Sequence, residues 1–430
     1  MPRATPLVDP VTILFDGEPL EAERGEPLVA ALIAAGKLSL ARSPKFHRPR
    51  GPSCLRAACD GCLARVDDCP NVMTCAVPAA EGTVVKTQNT LGSREVDFLR
   101  MTDWFFPNGM NHHELFAGVP GLQSIMQSFA RRVAGLGKLP GQTSAPREAR
   151  RRAGDVVVVG GGAAGMAIAS RAADAGRRVE VLDDALAVGG TLRAFTGEDA
   201  QPWAALRARF DERVERGAIV VRTRTTAAAL YGEDLLVAGH DGAEVVTARA
   251  LVLAPGAHDG ALAFEGNDLP GVMSARAASW LLAHGVTLGE RVLVCITDGG
   301  LDGGTDGGGA GAMGRAFARA ATRAGQVVEL VEGAPVHAEG AARVKTVVVR
   351  ELGKERRIKA DALVIDAPRA PAYELCEQAG ARLVHMPRGF VPQVVEGRVR
   401  DGVFALGEVT GARLEPGVVE SQADAIARQL

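Results

Sequence analysis

The stretch Cys54-Leu-Arg-Ala-Ala-Cys59-Asp-Gly-Cys62 decides the fold of the N-terminal part of the chain, and Cys75 follows it after twelve further residues. Three cysteines spaced C-x4-C-x2-C, with a fourth further on, are typical of plant-type [2Fe–2S] clusters, whose irons bind thiolate sulfur. Four of the seven cysteines in the chain fall into this pattern. We therefore predict a [2Fe–2S] cluster with four ligands: Cys54, Cys59, Cys62 and Cys75.

A zinc site or a pair of disulfides is the alternative use of these cysteines. Structural zinc motifs usually repeat a C-x2-C pair, and the sequence holds one such pair, Cys59 and Cys62. The first residues lack the long apolar segment of a secretory signal, which argues against disulfides. Cys69 lies outside the ligand spacing and is interpreted as a loop thiol, although an exchange of roles with Cys75 stays open. His112-His113-Glu114 is interpreted as a loop without a metal, because adjacent histidines point in different directions.

The composition limits the classes of partner. Lys and Arg number 49 against 51 Asp and Glu, and aromatic residues make up 4% of the chain, so nothing favours a nucleic-acid partner. No apolar run approaches the roughly 18–20 residues that a membrane-spanning helix needs. With 430 residues we expect two or three domains in a cytoplasmic protein.

The residues around the cysteine loop predict a β-grasp ferredoxin-like domain. Residues 11–15 and 19–24 predict a hairpin closed by Asp16-Gly17, and a helix follows that ends at Gly36. Two more strands are predicted after the loop, at residues 62–66 and 71–75.

A dinucleotide-binding fingerprint begins the second half of the chain. The apolar strand 155–159 runs into Gly160-Gly-Gly162-Ala-Ala-Gly165, a helix follows at 166–175, and the next strand ends at Asp183-Asp184. Glycines at these positions permit a tight turn, close approach of the backbone to a pyrophosphate, and close packing of helix on strand. The helix N-terminus stabilises the phosphates, and Asp183 can accept hydrogen bonds from ribose hydroxyls. These features predict an ADP-containing cofactor.

Three later segments are similar to flavoproteins of the two-dinucleotide, glutathione-reductase type. They are Gly189-Gly190-Thr191, the strand ending at Gly256, and Gly407-Glu408. Pro255 stands where those proteins have Thr, and Glu408 where they have Asp. We favour FAD, while NAD or ATP in the same site stays open. The predicted nucleotide contacts are Gly160, Gly162, Ala163, Ala164, Gly165, Asp183, Asp184, Gly190, Thr191, Gly256, Gly407 and Glu408.

No cysteine follows Gly190 closely, which argues against a disulfide reductase, and Cys295 and Cys376 are interpreted as core residues.

A second Rossmann-like unit begins with the strand 291–296. Its loop 297–311 is long, and Asp298, Asp302 and Asp306 would repel a pyrophosphate. Whether it leaves a working NAD(P) site, or binds calcium, stays open.

These patterns predict an α/β chain with four segments. They are a ferredoxin-like domain with an extension at 1–137, a linker at 138–152, a dinucleotide-binding domain at 153–282 and 376–430, and a second Rossmann-like domain at 283–375.

Several N-terminal segments resemble the α subunits of heterotetrameric sarcosine oxidases and the related subunits of opine oxidases, hydrogen cyanide synthase and dye-linked proline dehydrogenases. The segments are Phe15-Asp-Gly-Glu-Pro, Ser43-Pro-Lys-Phe-His-Arg-Pro-Arg-Gly51, Pro70-Asn-Val and Gln88-Asn89. The resemblance implies a separate amino-acid-oxidase-like flavoprotein subunit as partner, with FMN as a candidate flavin at the interface of the subunits. Many of these α subunits lack the cysteine ligands that this chain retains.

We expect an electron-transfer subunit of a flavin-dependent amine or amino-acid dehydrogenase or oxidase. A self-sufficient NAD(P)H oxidoreductase and a non-catalytic assembly subunit with a structural nucleotide are the alternatives. The sequence assigns no catalytic residue, substrate, electron acceptor or subunit stoichiometry.

Overall fold

The computed structural model describes residues 3–44, 46–105, 121–122, 124–125, 128, 140–141, 148–297 and 311–430. The predictions for His112-His113-Glu114, for residues 142–147 of the linker and for the Gly/Asp-rich segment 298–310 lie outside these residues. Within the described residues, no helix is long and apolar enough to cross a membrane.

The N-terminal domain is a five-stranded sheet covered by one helix. Strand β1 pairs antiparallel with β2 and parallel with β7, which gives the order β2-β1-β7-β5-β6. A short hairpin of β3 and β4 precedes the cysteine loop. The strands are β1 (Pro10–Phe15), β2 (Glu18–Glu23), β3 (Ala41–Arg42), β4 (Pro49–Arg50), β5 (Leu63–Val66), β6 (Cys69–Met73) and β7 (Val84–Lys86), and the helices are α1 (Leu28–Ala34) and α2 (Met101–Phe105).

Alternation along β1 buries Val11, Ile13 and Phe15 on one face, against the buried residues of α1. The last predicted strand of this domain was wrong in its bounds. It begins at Cys69 rather than at residue 71 and ends at Met73, so that Cys75 lies on a short 3-10 turn, Thr74–Ala76.

The first dinucleotide-binding unit follows, with parallel strands at its centre. The order β10-β9-β8-β13 is parallel, and β12 and β11 continue it in antiparallel fashion. Its elements are β8 (Arg150–Val159), α3 (Ala163–Asp174), β9 (Val179–Leu182), α4 (Ala204–Glu215), β10 (Ile219–Arg222), β11 (Thr226–Tyr231), β12 (Asp234–Gly239) and β13 (Gly242–Leu253).

Strand β8 begins at Arg150, inside the predicted linker. Arg152 lies opposite Val246 of β13, and its guanidinium contacts the carboxylates of Glu180 and Glu244. A run of arginines is typical of a linker. Here it forms a strand, because the two carboxylates on neighbouring strands compensate the charge of Arg152.

The second unit has a four-stranded parallel sheet in the order β15-β21-β16-β17, beside an antiparallel sheet of β18, β19 and β20. Strand β15 and helix α5 belong to it although they precede residue 283, where we predicted its start. The elements are β14 (Ala257–His258), β15 (Val272–Ser274), α5 (Ala275–Ala283), β16 (Arg291–Ile296), α6 (Ala312–Arg323), β17 (Val327–Glu332), β18 (Ala334–Glu339), β19 (Thr346–Glu351), β20 (Lys354–Lys359) and β21 (Ala362–Asp366).

The chain then returns to the first unit, where β26 pairs with β13. The remaining elements are β22 (Ala370–Pro371), α7 (Glu374–Gln378), β23 (Leu383–Met386), β24 (Gly389–Pro392), β25 (Arg398–Arg400), β26 (Val403–Ala405) and α8 (Pro416–Ala427). Cys295 and Cys376 are both fully buried, as predicted for core residues, and burial raises the pKa of each thiol to about 12.

One apolar core joins the ferredoxin-like domain to the second unit. Ile13 and Leu32 belong to the same buried cluster as Trp280 and Phe317. Next to it, the Ser274 N–H donates to the carbonyl of Ser53, beside the first cysteine of the loop, at 3.0 Å. The cysteine loop is therefore held directly against the start of α5.

Candidate functional site

The four predicted cluster ligands lie together as two pairs of thiols. Cys54 is hydrogen-bonded to Cys59, and Cys62 to Cys75. Cys54, Cys62 and Cys75 are buried and Cys59 is half-buried, whereas Cys69 is exposed. This arrangement brings Cys75, rather than Cys69, to the other three cysteines.

The backbone of the loop points N–H groups at sulfur. The Arg56 N–H donates to Cys54 Sγ at 3.3 Å, and the Ala57 N–H donates to Cys75 Sγ at 3.2 Å. To do so, Leu55 and Ala57 adopt left-handed conformations with φ of 51° and 55°. Such a conformation costs a non-glycine residue about 1–3 kcal/mol and is concentrated at functional sites. N–H donors to sulfur stabilise the negative charge of thiolates and of an iron–sulfur cluster.

The thiol pairs are prepared for ionisation. The hydrogen bond from Cys54 lowers the pKa of Cys59 to about 5, and the bond from Cys75 lowers the pKa of Cys62. The same bonds, together with burial, raise the pKa of Cys54 and of Cys75. Within each pair, the thiol whose pKa is lowered is therefore the one that ionises more easily, and thiolates are the form that binds iron.

Two pairs suit two metal ions better than one. A structural zinc ion needs four ligands around one point, whereas the two irons of a [2Fe–2S] cluster share four cysteines. The donor set and its N–H···S bonds fit the cluster.

A cavity of about 440 Å³ lies between this loop and the dinucleotide-binding unit. Every predicted nucleotide contact except Gly165 lines it. So do Cys75 and, from the cysteine loop, Leu55, Arg56 and Ala57. The fold thus brings the predicted cluster ligands and the predicted nucleotide site to a common space.

The glycines of the fingerprint have distinct surroundings. A Cβ on Gly160, whose φ is 96°, would lie 2.2 Å from the Ala254 carbonyl oxygen, and a Cβ on Gly165 would lie 1.8 Å from the Gly160 oxygen. Gly162 is different, since the nearest atom to its Cβ would be 3.9 Å away. Gly160 and Gly165 therefore serve packing, and Gly162 leaves the cavity open at the N-terminus of α3, which begins at Ala163 rather than at residue 166.

The two acidic residues after β9 differ in their environment. Asp183 is buried and accepts hydrogen bonds from the Gly161 N–H at 2.7 Å and the Ala185 N–H at 2.9 Å. Burial raises the pKa of its carboxyl group. Asp184 is exposed at the rim. Asp183 thus orders the glycine loop as well as lining the cavity.

Glu408, the predicted nucleotide contact near the C-terminus, is held in place by an ion pair. Glu408 Oε1 lies 2.7 Å from Arg369 Nη2. A Cβ on Gly407, which has a φ of 83°, would lie 2.6 Å from Ala164 Cβ. This close approach places Glu408 beside the first turn of α3 in the wall of the cavity.

Several polar residues of the cavity escaped sequence reasoning. They are Arg56, Arg193, Arg276, Trp280 and His284. Burial, followed by the charge of Arg193, lowers the pKa of His284 to about 4. The guanidiniums of Arg193 and Arg276 lie 5.9 Å from the ring of Trp280. Apart from the place of Arg56 between two cysteines, no spacing in the sequence marks these residues.

Two families of known proteins match separate parts of the chain. Residues 8–90 match the family described as "2Fe-2S iron-sulfur cluster binding domain", and residues 154–343 match "Pyridine nucleotide-disulphide oxidoreductase". The structure is similar to that of L-proline dehydrogenase from P. horikoshii, with a TM-score of 0.70 and 20% identity over 99% of this chain and 75% of that one. At this identity the likeness shows a shared fold, which confirms the predicted α/β class.

Two curated relatives are α subunits of sarcosine oxidase. The subunit from Rhizobium meliloti (strain 1021) is 30% identical over 318 residues, which cover 67% of this chain and 32% of the relative. The subunit from Corynebacterium sp. (strain P-1) is 28% identical over 418 residues, which cover 87% of this chain and 39% of the relative. The matched part of the chain thus spans 32% and 39% of the length of these two relatives. The chain is similar to sarcosine oxidase α subunits over that part of their length, and its two family matches join an iron–sulfur domain to an oxidoreductase domain.

Proposed function

We propose that this chain transfers electrons between a flavin bound in the cavity and a [2Fe–2S] cluster held by Cys54, Cys59, Cys62 and Cys75. The observation that carries this proposal is the shared cavity, which is lined by Cys75 and Ala57 as well as by the fingerprint glycines Gly160 and Gly162. Electron transfer requires donor and acceptor to be close, and this cavity provides that proximity inside one chain.

The residues of the cavity support FAD as the nucleotide. Gly162 exposes backbone at the start of α3, where a pyrophosphate is stabilised by the helix N-terminus. Glu408 stands where related flavoproteins hold the ribityl chain, and its ion pair with Arg369 fixes its position. A flavin takes up electrons in pairs and can release them singly, which suits a one-electron cluster as its neighbour. NAD or ATP in this place are the competing ligands.

The proposed function also requires a partner subunit. The relatives are named as subunits of sarcosine oxidase, and we infer that this chain assembles with an amino-acid-oxidase-like flavoprotein subunit that oxidises a secondary amine or an amino acid. A second flavin, FMN, at the interface of the two subunits would connect that reaction to this chain. A cytoplasmic location stays a prediction.

The test is isolation of the native complex from its source cells, with identification of its subunits and extracted cofactors by mass spectrometry. Sarcosine and other secondary amines are then added without oxygen, while flavin absorbance and the electron paramagnetic resonance (EPR) signal of the cluster are recorded. We expect both centres to become reduced. If substrate is consumed while both stay oxidised, the chain is an assembly subunit and the proposal fails. If the extracted nucleotide is NAD or ATP, the assignment of FAD fails.

A further inference from the structure

Arg56 links the cysteine loop to the dinucleotide-binding part of the chain. Its backbone N–H donates to Cys54 Sγ, and the next residue, Ala57, donates to Cys75 Sγ. Its side chain leaves the ferredoxin-like domain, and Nη1 donates to the carbonyl oxygen of Ala257 at 2.8 Å. Ala257 follows Gly256 directly, in the wall of the nucleotide cavity. One residue thus touches both parts of the site.

A second guanidinium reaches the same carbonyl oxygen. Arg276 of α5 donates from Nη2 to the Ala257 oxygen at 3.0 Å and from Nη1 to Thr191 Oγ1 at 3.2 Å. It is 3% exposed, and its Nε has no hydrogen-bond partner among the described residues. Thr191 belongs to the predicted nucleotide contacts, so Arg276 connects those contacts with Arg56 through one shared acceptor.

Positive charge exceeds negative charge around the Ala257 carbonyl oxygen. Arg276 Nη2 lies 2.8 Å from Asp259 Oδ1, and Arg369 is paired with Glu408. Burial, and next the charge of Arg56, lower the pKa of Arg276 to about 10. Arg276 therefore remains charged at pH 7. Two cations meet at Ala257 while Asp259 compensates one of them.

We propose that the positive charges of Arg56 and Arg276 raise the reduction potential of the cluster. The inference rests on the proposed function, since it concerns the direction of electron flow between cavity and cluster. A [2Fe–2S] centre gains one negative charge when it accepts one electron, here from a reduced flavin. Fixed positive charge nearby stabilises the reduced form, and local charge and hydrogen bonds to sulfur are what set such potentials.

The test is a redox titration of the cluster-loaded chain with dithionite, followed by EPR, which needs neither amine nor partner subunit. The variants are Arg56→Gln, Arg56→Lys, Arg276→Gln and Arg276→Lys. Arg24→Gln is the matched control, because Arg24 is an exposed arginine of the same domain that pairs with Asp9. Iron content and visible absorption verify that each variant holds its cluster.

We expect the ratio of reduced to oxidised cluster in each Gln variant to be roughly tenfold lower at a fixed ambient potential. For one electron, this corresponds to a midpoint potential about 59 mV lower. The Lys variants keep the charge and should stay close to the wild type, as should Arg24→Gln. If the Gln variants keep the wild-type midpoint, or if Lys and Gln shift it equally, the inference is wrong. Should Arg56→Gln fail to hold a cluster, Arg276→Gln decides, since Arg276 lies outside the cysteine loop.

The two proposals fail in different ways. A cluster with a lowered midpoint in the Gln variants that is still not reduced by amine in the native complex would contradict the proposed function and leave the charge effect standing. A cluster reduced by amine, with a midpoint indifferent to both arginines, would contradict this inference alone.

Discussion

Asp366 accepts a hydrogen bond from the Gly314 N–H through Oδ2 at 2.7 Å, in the first turn of helix α6. In a working dinucleotide-binding unit, the start of this helix receives the pyrophosphate. Here a carboxylate from the end of β21 occupies that place, and a Cβ on Gly314 would approach Asp366 Cβ to 3.0 Å. The second unit thus presents a negative charge where a nucleotide would bring another.

This relationship predicts that NADH does not reduce the isolated chain. Added without oxygen, NADH should leave the flavin absorbance unchanged, while dithionite bleaches it. Rapid bleaching by NADH would instead establish the chain as a self-sufficient NAD(P)H oxidoreductase. Asp366→Asn keeps an acceptor for Gly314 and removes the charge, so it should bind NADH more tightly than the wild type, as measured by calorimetry.

Asp361 supplies the matched control for that variant. It also accepts backbone N–H bonds, from Glu290 at 3.1 Å and Arg291 at 2.9 Å, but at the opposite end of β16. Asp361→Asn should leave NADH binding as it is in the wild type. Equal gains in both variants would show that charge at the start of α6 is not what excludes the nucleotide.

A second prediction separates Cys75 from Cys69. Cys75→Ser should abolish the visible absorption and EPR signal of the cluster, because Cys62 then loses its partner. Cys69→Ser should retain both, since its Sγ is exposed and lies 4.0 Å from the Pro70 carbonyl oxygen, away from the other thiols. Iron and sulfide analysis of the two variants checks this. Loss of the cluster in Cys69→Ser alone would reverse the assignment.

A third prediction concerns the fingerprint glycines. Gly162→Ala should fold, because its Cβ meets no atom closer than 3.9 Å, yet it should weaken nucleotide binding by filling the approach to α3. Gly160→Ala should destabilise the protein itself, since both its φ of 96° and the Ala254 oxygen oppose a side chain. Nucleotide retained after gel filtration and the thermal unfolding midpoint distinguish the two effects.

Gly417→Ala is the control for this pair. Its Cβ would meet nothing within 4 Å in α8, so both retained nucleotide and unfolding midpoint should match the wild type. Full nucleotide retention by Gly162→Ala would count against the cavity as the nucleotide site.

A fourth prediction follows from the ion pairs across β8, β9, β10 and β13. Hydrogen bonds from Arg222, then from Arg152, lower the pKa of Glu244 to about 2. A lowered pKa in the folded state means that the stabilisation is complete above the ordinary pKa of about 4.5 and is lost as the pH falls toward 2.

Glu244→Gln should therefore lower the thermal unfolding midpoint at pH 7 by roughly 2 °C, as expected for about 1 kcal/mol. The difference from the wild type should shrink between pH 5 and pH 2. Glu212→Gln is the control, because Glu212 pairs with Arg216 on the exposed surface of α4 and should change little. A constant difference down to pH 2 would show that Glu244 acts through packing and not through its charge.

Short-range spacing made much of the fold predictable. The interval between Cys54 and Cys62 predicts a tight loop of cysteines, and the glycines from Gly160 to Gly165 predict a strand, a turn and a helix. Such patterns work because the geometry is set within a few residues. The predicted bounds of strands and linkers were wrong where residues distant in the sequence determine the structure. Arg152 is an example, because its charge is compensated by Glu180 and Glu244 on other strands.

By itself, then, the sequence determined the close spacing of the three loop cysteines, the fingerprint and the α/β class, since each depends on local spacing. Only the tertiary structure decided that Cys75 rather than Cys69 lies beside Cys62, and that Arg56 and Arg276 meet at one carbonyl oxygen. Arg56 and Arg276 are 220 positions apart in the chain, and their meeting depends on the apolar core that holds the ferredoxin-like domain against the second unit. No local pattern encodes such a contact, because it results from the packing of whole domains.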